Sequence, residues 1–212
     1  MHNEKSDLRT RLLTRRRALS ADGRAEAAHA LAGHAGELAA PGTTVAAYVS
    51  VGAEPGTRPL LDALRARGVR VLLPVLLPDN DLDWAAYQGP QELAPAGRGL
   101  LEPVGPRLGP EAVTEASVVL LPGLAVDRRG LRLGRGGGSY DRVLARLGRA
   151  GARPVLAVLL YEHELLDEVP AEPHDRPVDL AVTPAGVVRV VRGQPLVSTS
   201  LCLVAFSTAS GV

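Results

Sequence analysis

Two apolar runs separated by a short amphipathic segment decide the fold of this chain: TTVAAYVSV (residues 43–51), TRPLLDALRARG (57–68) and VRVLLPVLL (69–77). The two outer segments are nearly uninterrupted runs of aliphatic and β-branched residues, which is typical of strands buried on both faces. The middle segment has leucines at helical spacing and a terminal glycine that suits a helix C-cap. Strand, helix and strand in this order predict a βαβ unit with a parallel sheet.

The same alternation extends in both directions along the chain. Residues 4–19 predict a basic amphipathic helix, and residues 21–40 predict an alanine-rich second helix. Later strands are predicted in ASVVLLPGLAVD (116–127), RPVLAVLLY (153–161) and LAVTPAGVVRVV (180–191), with a helix over 140–151. We therefore expect a single three-layer α/β domain with a largely parallel central sheet flanked by helices.

Two regions depart from this alternation. LDWAAYQ (82–88) predicts a hairpin strand, and the Pro- and Gly-rich segment 89–110 predicts a long irregular excursion. We assign residues 1–193 to the domain and 194–212 to a C-terminal tail, which could be an ordered edge element or a loose end.

Composition limits the classes of function. The 212 residues are 46% hydrophobic, which suits one compact domain. The net charge of +1 and the aromatic content of 3% argue against nucleic acid as a partner, because neither a broad basic field nor base-stacking surfaces are indicated. The single cysteine, Cys202, excludes an intramolecular disulfide and favours a reducing compartment. Apolar runs too short to span a bilayer predict no membrane partner and a cytoplasmic protein.

A glycine-rich stretch, RLGRGGGSYDR (132–142), is the strongest local signal of function. Its glycines can take positive φ and turn backbone N–H groups toward one point, which forms a cradle for phosphate. Arg132 and Arg135 would add full charge, and a helix beginning near Tyr140 or Asp141 would add its dipole. A loop whose glycines serve only for turning is the alternative. The spacing fits neither a P-loop nor a Rossmann fingerprint.

The longer stretch LPGLAVDRRGLRLGRGGGSYDRVL (121–144) resembles the signature of the 5-formyltetrahydrofolate cyclo-ligase family, whose glycine segment follows a pattern near R-L-G-x-G-x-G-Y-Y-D-R. The other matching pieces occur in the family's order: KSDLR (5–9), YVSVGAEPGTRPLL (48–61), LLEP (100–103) and PHDRPVDLAVTP (173–184). The resemblance implies a three-layer α/β fold. It also implies conversion of ATP and 5-formyltetrahydrofolate to 5,10-methenyltetrahydrofolate, ADP and phosphate, with Mg²⁺. Its partner would be the reduced folate, and we expect a monomer or weak homodimer.

The resemblance also implies roles for individual residues. The nucleotide would be bound by the first helix and the glycine segment, through Lys5, Arg9, Arg132, Leu133, Gly134, Arg135, Gly136, Gly137, Gly138, Ser139 and Tyr140. Of these, the expected catalytic residues are Lys5 and Arg132. The folate would be bound by Val49, Glu54, Ser139 and Tyr140. The magnesium ligands would be Asp141 and Asp175, with Asp179 as the alternative to Asp175.

Several of these positions have another explanation from the residues alone. Lys5 and Arg9 lie at i and i+4, so they share a helix face that could simply be a solvated basic surface. Glu54 could be an exposed loop residue. Asp141 could be a charge that favours a helix N-terminus, and Asp175 could belong to a turn or a loop ion pair.

Arg15, Arg16 and Arg17 are predicted to be surface residues. Trp84 and Tyr87 could line a folate pocket, although large aromatic residues at alternating strand positions are more often core.

One position departs from the family pattern. Ser139 stands where the family has the first tyrosine of Tyr-Tyr-Asp, so another side chain supplies the folate contact or substrate affinity differs. This departure leaves two alternatives to the cyclo-ligase: a non-catalytic paralogue that binds nucleotide or folate, and an ATP-dependent kinase or ligase with another small substrate.

Overall fold

The computed structural model describes residues 2–170, 176–190 and 197–198. Its helices are α1 (His2–Ala18), α2 (Ala21–Gly33), α3 (Ala35–Leu38), α4 (Arg58–Ala66) and α5 (Ser139–Arg149). Its strands are β1 (Thr44–Ala46), β2 (Arg70–Leu76), β3 (Leu82–Ala86), β4 (Leu93–Pro95), β5 (Leu101–Pro103), β6 (Val118–Leu121), β7 (Ala125–Asp127), β8 (Arg132–Leu133), β9 (Val155–Leu159), β10 (Leu165–Leu166), β11 (Leu180–Thr183), β12 (Gly186–Arg189) and β13 (Val197–Ser198). None of the helices in this described part is both long and apolar enough to cross a membrane.

The main sheet has eight strands in the order β13-β12-β11-β9-β6-β1-β2-β3. Its five central strands, from β11 to β2, are parallel, and the strands at both edges are antiparallel. The predicted βαβ unit is β1-α4-β2, in which Val45 pairs with Val71. The predicted fold class, a largely parallel sheet flanked by helices, is therefore confirmed.

Alternation along the central strands produces the three layers. In β1, Val45 packs in one core cluster and Ala46 in the other, because successive side chains of a strand point to opposite faces. The first cluster includes Leu31 of α2 and Leu61 of α4. The second cluster includes Val143 of α5. A continuous apolar sequence is therefore needed in each central strand, since both faces are buried.

The first strand is shorter than the prediction over 43–51. After Ala46 the ladder continues only as far as the Ala47 N–H, which donates to the Leu72 carbonyl at 2.8 Å. Side-chain bonds then replace the strand pairing. The Ser50 N–H donates to Thr57 Oγ1 at 2.9 Å, and the Thr57 N–H donates to Ser50 Oγ at 3.1 Å. The polar residues of this segment thus turn the chain away from the sheet at its carboxyl edge.

The excursion is more regular than predicted, and part of the tail takes one of its two expected forms, an ordered edge element. The excursion over 89–110 contains an antiparallel pair of strands, β4 and β5. Residues 197–198 of the tail form β13, which pairs with the β12 edge. The boundary between domain and tail at residue 193 stays a prediction, and Cys202 lies outside the described residues.

A small second sheet, in the order β10-β7-β8, packs under α1. Leu12 of α1 is buried in a cluster with Leu124, Leu133 and Val169. Asp127, at the end of β7, is fully buried, and its carboxylate accepts hydrogen bonds from the N–H groups of Leu131 and Val169. The small sheet thus holds α1 against β8, the strand that leads into the glycine stretch.

Candidate active site

A cleft of about 530 Å³ opens at the carboxyl ends of β1, β2 and β6, where ligand sites of parallel α/β sheets are expected. Basic and glycine residues form one wall: Lys5, Arg9, Arg132, Gly134, Arg135, Gly136, Gly137 and Gly138. Apolar residues from the strand ends and the β4–β5 hairpin form much of the other: Val49, Val51, Pro74, Leu76, Leu82, Leu100 and Leu101. The cleft thus combines a cationic wall with an apolar wall.

The glycine stretch connects β8 to α5 and faces this cleft. Gly136 and Gly138 have φ of +88° and +76°, in the left-handed region that L side chains rarely adopt. Gly138 is the N-cap of α5, which begins at Ser139, one residue earlier than expected. The N–H groups of the first helical turn have no intrahelical acceptor. A glycine loop that leads into a helix start is a kind of backbone that can hold an anion.

Lys5 and Arg9 of α1 both line the cleft, rather than forming a solvated basic surface. The Arg9 Nε–H donates to the Gly134 carbonyl at 2.9 Å, which ties α1 to the glycine stretch. Lys5 is 8% exposed. The i, i+4 spacing therefore places both cations on the face of α1 that lines the cleft.

Arg132 lies in β8, at the start of the glycine stretch. Its Nη1–H donates to the Pro122 carbonyl at 2.9 Å, and its Nη2 lies 3.4 Å from Asp141 Oδ1. A Cβ on Gly134 would come within 2.8 Å of Arg132 Nη1, so a glycine at this position makes room for the guanidinium. The arginine is therefore held in place by the end of β6 and by α5.

The predicted metal ligands have different outcomes. Asp141 lines the cleft and is 67% exposed, so its carboxylate can accept a further ligand. Asp175 lies outside the described residues. Asp179 accepts a hydrogen bond from the Leu156 N–H at 2.9 Å, at the amino end of β9, whereas the cleft lies at the carboxyl ends. Among the residues that the structure describes, no group of three or more Asp, Glu, His or Cys side chains is arranged to hold a metal ion.

Glu54 is positioned by the turn that follows β1. Its Oε2 accepts a hydrogen bond from the Val51 N–H at 2.8 Å, and its Oε1 accepts one from Arg135 Nη1 at 3.1 Å. The side chain is only 11% exposed, so it is not the exposed loop residue of the alternative explanation. Each carboxylate oxygen has a further lone pair that can accept a ligand donor.

Two tyrosines lie beside Glu54 at the cleft. Burial, together with the charge of Glu54, raises the pKa of Tyr140 and of Tyr48 above the ordinary range of a phenol. Both hydroxyls therefore stay protonated through neutral pH. The Tyr140 hydroxyl is shielded from solvent and makes no hydrogen bond with any of the described residues. A ligand atom in the cleft could satisfy that donor.

A buried ion pair attaches α1 to the carboxyl edge of the sheet. Arg16 is 1% exposed, so the prediction that it is a surface residue was wrong. Its Nε and Nη2 donate to the two oxygens of Glu164 at 2.6 and 2.8 Å, and Nη2 also donates to the Gly123 carbonyl at 2.6 Å. Burial alone would lower the pKa of Arg16, but the hydrogen bond and charge of Glu164 outweigh it and the pKa is raised.

Sequence reasoning missed several cleft residues and correctly favoured the core for others. Trp84 and Tyr87 are 0% and 3% exposed and belong to the core. Tyr48, Arg98 and Glu102 line the cleft without having been predicted there. Glu102 belongs to the matched LLEP segment, which was a signal, and it accepts the Leu76 N–H at 2.9 Å.

The geometry is that of an α/β protein whose cleft has a basic, glycine-rich wall and an apolar wall. The model of the 5-formyltetrahydrofolate cyclo-ligase family matches residues 1–184. The chain therefore belongs to this family, and it is an enzyme of the ligase class.

Relatives with this name support the assignment. A 5-formyltetrahydrofolate cyclo-ligase from Mycolicibacterium smegmatis is 47% identical over 185 residues, which cover 85% of this chain and 93% of the relative. One from Escherichia coli is 34% identical over 146 residues, which cover 68% of this chain and 79% of the relative.

Two solved structures share the fold. The Aquifex aeolicus 5,10-methenyltetrahydrofolate synthetase has a TM-score of 0.73 at 28% identity, over 93% of this chain and 98% of its own. The Mycoplasma pneumoniae 5,10-methenyltetrahydrofolate synthetase has a TM-score of 0.66 at 20% identity, over 85% of this chain and 98% of its own.

Proposed function

We propose that this protein uses ATP and Mg²⁺ to convert 5-formyltetrahydrofolate to 5,10-methenyltetrahydrofolate, with release of ADP and phosphate. One observation carries the proposal: a glycine loop with four basic side chains faces an apolar wall across a single cleft. A phosphate-bearing ligand and a flat heteroaromatic ligand could bind side by side there. Family membership supports the choice of a reduced folate as the second ligand.

The basic wall would bind the nucleotide phosphates. The amides of the glycine stretch and the start of α5 would donate to phosphate oxygens, and Lys5, Arg9 and Arg132 would neutralise their charge. Leu133, Arg135 and Ser139 complete this wall. Lys5 and Arg132 are proposed as the catalytic residues, because charge held in a fixed geometry stabilises phosphoryl transfer.

Asp141 fits a magnesium site of the kind completed by substrate. Mg²⁺ commonly binds through one or two carboxylates together with phosphate oxygens, so a single exposed carboxylate beside the cradle is sufficient from the protein. Bound magnesium would neutralise phosphate charge during transfer. Asp175 remains a proposed second ligand.

The folate would bind toward Glu54 and the apolar wall. The Glu54 carboxylate can accept hydrogen bonds from the amino and ring N–H groups of the pterin. Val49 lies beside it, and Tyr140 offers its shielded hydroxyl as a donor. Ser139, which stands at the family's tyrosine position, is half-buried and lines the same cleft.

The chemistry follows from the need for a leaving group. The formyl oxygen attacks the terminal phosphorus of ATP, the bond to the ADP oxygen breaks, and the formyl oxygen becomes a phosphate ester. N10 then attacks the activated formyl carbon, loses its proton, and expels inorganic phosphate. The cleft contributes alignment and charge neutralisation. We further propose that the protein acts in the cytoplasm as a monomer or weak homodimer, without nucleic-acid or membrane partners.

The test is direct. Purified protein with 5-formyltetrahydrofolate and Mg-ATP should show growth of the methenyl absorbance band and an equal release of phosphate. Arg132→Ala and Asp141→Ala should each cut turnover strongly, whereas Arg107→Ala, at an exposed position outside the cleft, should leave it unchanged. Folate binding without turnover would overturn the proposed reaction. Phosphate release with another small substrate, but none with the folate, would identify a different ligase or kinase.

A further inference from the structure

Arg98, which lines the cleft, has an unusual backbone conformation and contacts a second residue of the same kind. Among the described residues, Asn80 and Arg98 are the non-glycine residues with positive φ, at 65° and 62°. They are hydrogen-bonded to each other, since Arg98 Nη1 donates to Asn80 Oδ1 at 3.1 Å. A left-handed backbone is uncommon for residues other than glycine, and asparagine tolerates it far better than arginine. Such strain at a cleft points to a role for the side chain.

The turn that contains Arg98 does not itself require an arginine. It connects β4 to β5 and is closed by backbone bonds, the Ala96 N–H donating to the Leu100 carbonyl at 2.9 Å. Gly97 and Gly99 flank Arg98. A third glycine would satisfy the same φ without strain. The guanidinium is therefore what an arginine adds at this position.

The Arg98 guanidinium is available to an anion. It is exposed and lines the cleft, and its hydrogen-bond partner is the neutral amide of Asn80. The carboxylates on either side of Asn80 pair with other arginines, Asp79 with Arg142 at 3.4 Å and Asp81 with Arg146 at 2.7 Å. Glu102, further along the hairpin, accepts a hydrogen bond from the Leu76 N–H. Within the described residues, Arg98 thus presents a cation at the cleft without a carboxylate bonded to it.

We propose that Arg98 binds the carboxylates of the glutamate tail of the folate substrate. The inference rests on the proposed function. With the pterin at Glu54, the aryl ring would pack on the apolar wall that includes Leu100 and Leu101, which lie two and three residues after Arg98 in the β4–β5 hairpin. The tail would leave that wall beside the guanidinium, whose planar fork matches a carboxylate. The basic residues of the opposite wall would be occupied by phosphates.

The experiment pairs a variant with a truncated substrate. Arg98→Gly removes the guanidinium and relieves the strained φ, so the thermal midpoint should hold or rise. For 5-formyltetrahydrofolate its KM should rise about tenfold, as expected for loss of one charge-assisted hydrogen-bonded pair, with kcat and the KM for ATP unchanged. For 5-formyltetrahydropteroate, which has no glutamate, the KM should be the same in both proteins. Arg107→Gly is the matched control for loss of an exposed arginine.

An equal change in KM for both substrates, or no change for 5-formyltetrahydrofolate, would overturn the assignment of Arg98. Arg98→Lys keeps the charge but not the planar fork, so its KM for 5-formyltetrahydrofolate should lie between those of the unaltered protein and Arg98→Gly. If the unaltered protein forms no methenyl product, the proposed function fails instead. In that case, dissociation constants measured by calorimetry for 5-formyltetrahydrofolate and 5-formyltetrahydropteroate replace the KM values in this comparison. If the protein binds neither compound, both proposals are overturned.

Discussion

Replacing Glu164 with leucine should destabilise the protein more than any loss of an exposed ion pair. The carboxylate is fully buried and accepts two hydrogen bonds from Arg16 and one from the Tyr161 N–H. The variant leaves the Arg16 guanidinium buried beside a hydrocarbon side chain. Removing one partner of a buried pair costs about 3–5 kcal/mol, because the remaining charge is desolvated without compensation.

This free energy translates into a large thermal shift. For a chain of this size the midpoint falls by roughly 2–4 °C per kcal/mol, so Glu164→Leu should lower it by about 6–20 °C. Glu115→Gln, which removes an ion pair with Arg70 between side chains 62% and 47% exposed, is the control. It should cost about 0–1 kcal/mol, since water and salt screen exposed pairs.

The assay is thermal and urea unfolding followed by circular dichroism. Unchanged m-values would show that both proteins unfold from the same compact state. Arg16→Met combined with Glu164→Leu should recover part of the loss, because an apolar pair of similar volume needs no desolvation of charge. A Glu164→Leu midpoint no lower than that of Glu115→Gln would refute the reasoning that the pair is buried and mutually dependent.

Three further outcomes are expected. Gly138→Ala should cost about 1–2 kcal/mol in chemical denaturation, because alanine is strained at φ +76°, and should raise the KM for ATP; wild-type values in both would exclude strain at this cap. The hydrogen bond from Arg146 lowers the pKa of Asp81, so this carboxylate stabilises the fold above its unfolded pKa and the contribution is lost as pH falls through the folded pKa. The urea midpoint of Asp81→Asn should therefore lie below that of wild type at pH 7 and approach it below about pH 4, whereas a difference independent of pH would contradict the charge effect. Asp127→Asn should cost about 1–3 kcal/mol, since an amide N–H would face donors such as the Val169 N–H; a midpoint equal to wild type would count against that network.

The fold was predictable where burial on both faces imposes a continuous apolar sequence. β2 and β6 satisfy this requirement, and the sequence indicates both. It overextended β1, because Tyr48 and Val49 continue the apolar pattern while lining the cleft beyond the sheet. A hydrophobic run does not distinguish a strand from a buried segment that leaves the sheet, since burial alone sets the pattern.

Residues of the candidate site were predictable where they form a local sequence pattern and not where their partners are distant in the chain. The glycine stretch is local, so it could be identified from its own residues. Lys5 and Arg9 were indicated only through the family resemblance, since their spacing equally suits a solvated basic surface. Arg16 lies in an arginine run and its partner Glu164 is 148 residues away. Sequence gives no sign of which of three consecutive arginines is buried, because that depends on where α1 meets the sheet.

The buried Arg16–Glu164 pair also connects α1 to the turn that carries Glu54. The Tyr161 hydroxyl donates to the carbonyls of Ala53 and Glu54 at 3.4 and 3.3 Å, and the Arg16 guanidinium lies 5.8 Å from the Tyr161 ring centre. One buried cluster therefore contacts both the helix that carries the proposed phosphate-binding residues, Lys5 and Arg9, and the turn that carries the proposed pterin contact, Glu54. Because the proposed phosphoryl transfer would need its two ligands closely aligned, loosening this cluster should reduce kcat even where both ligands still bind. Glu164→Leu assayed well below its midpoint, with both substrates saturating, separates this loss of alignment from unfolding.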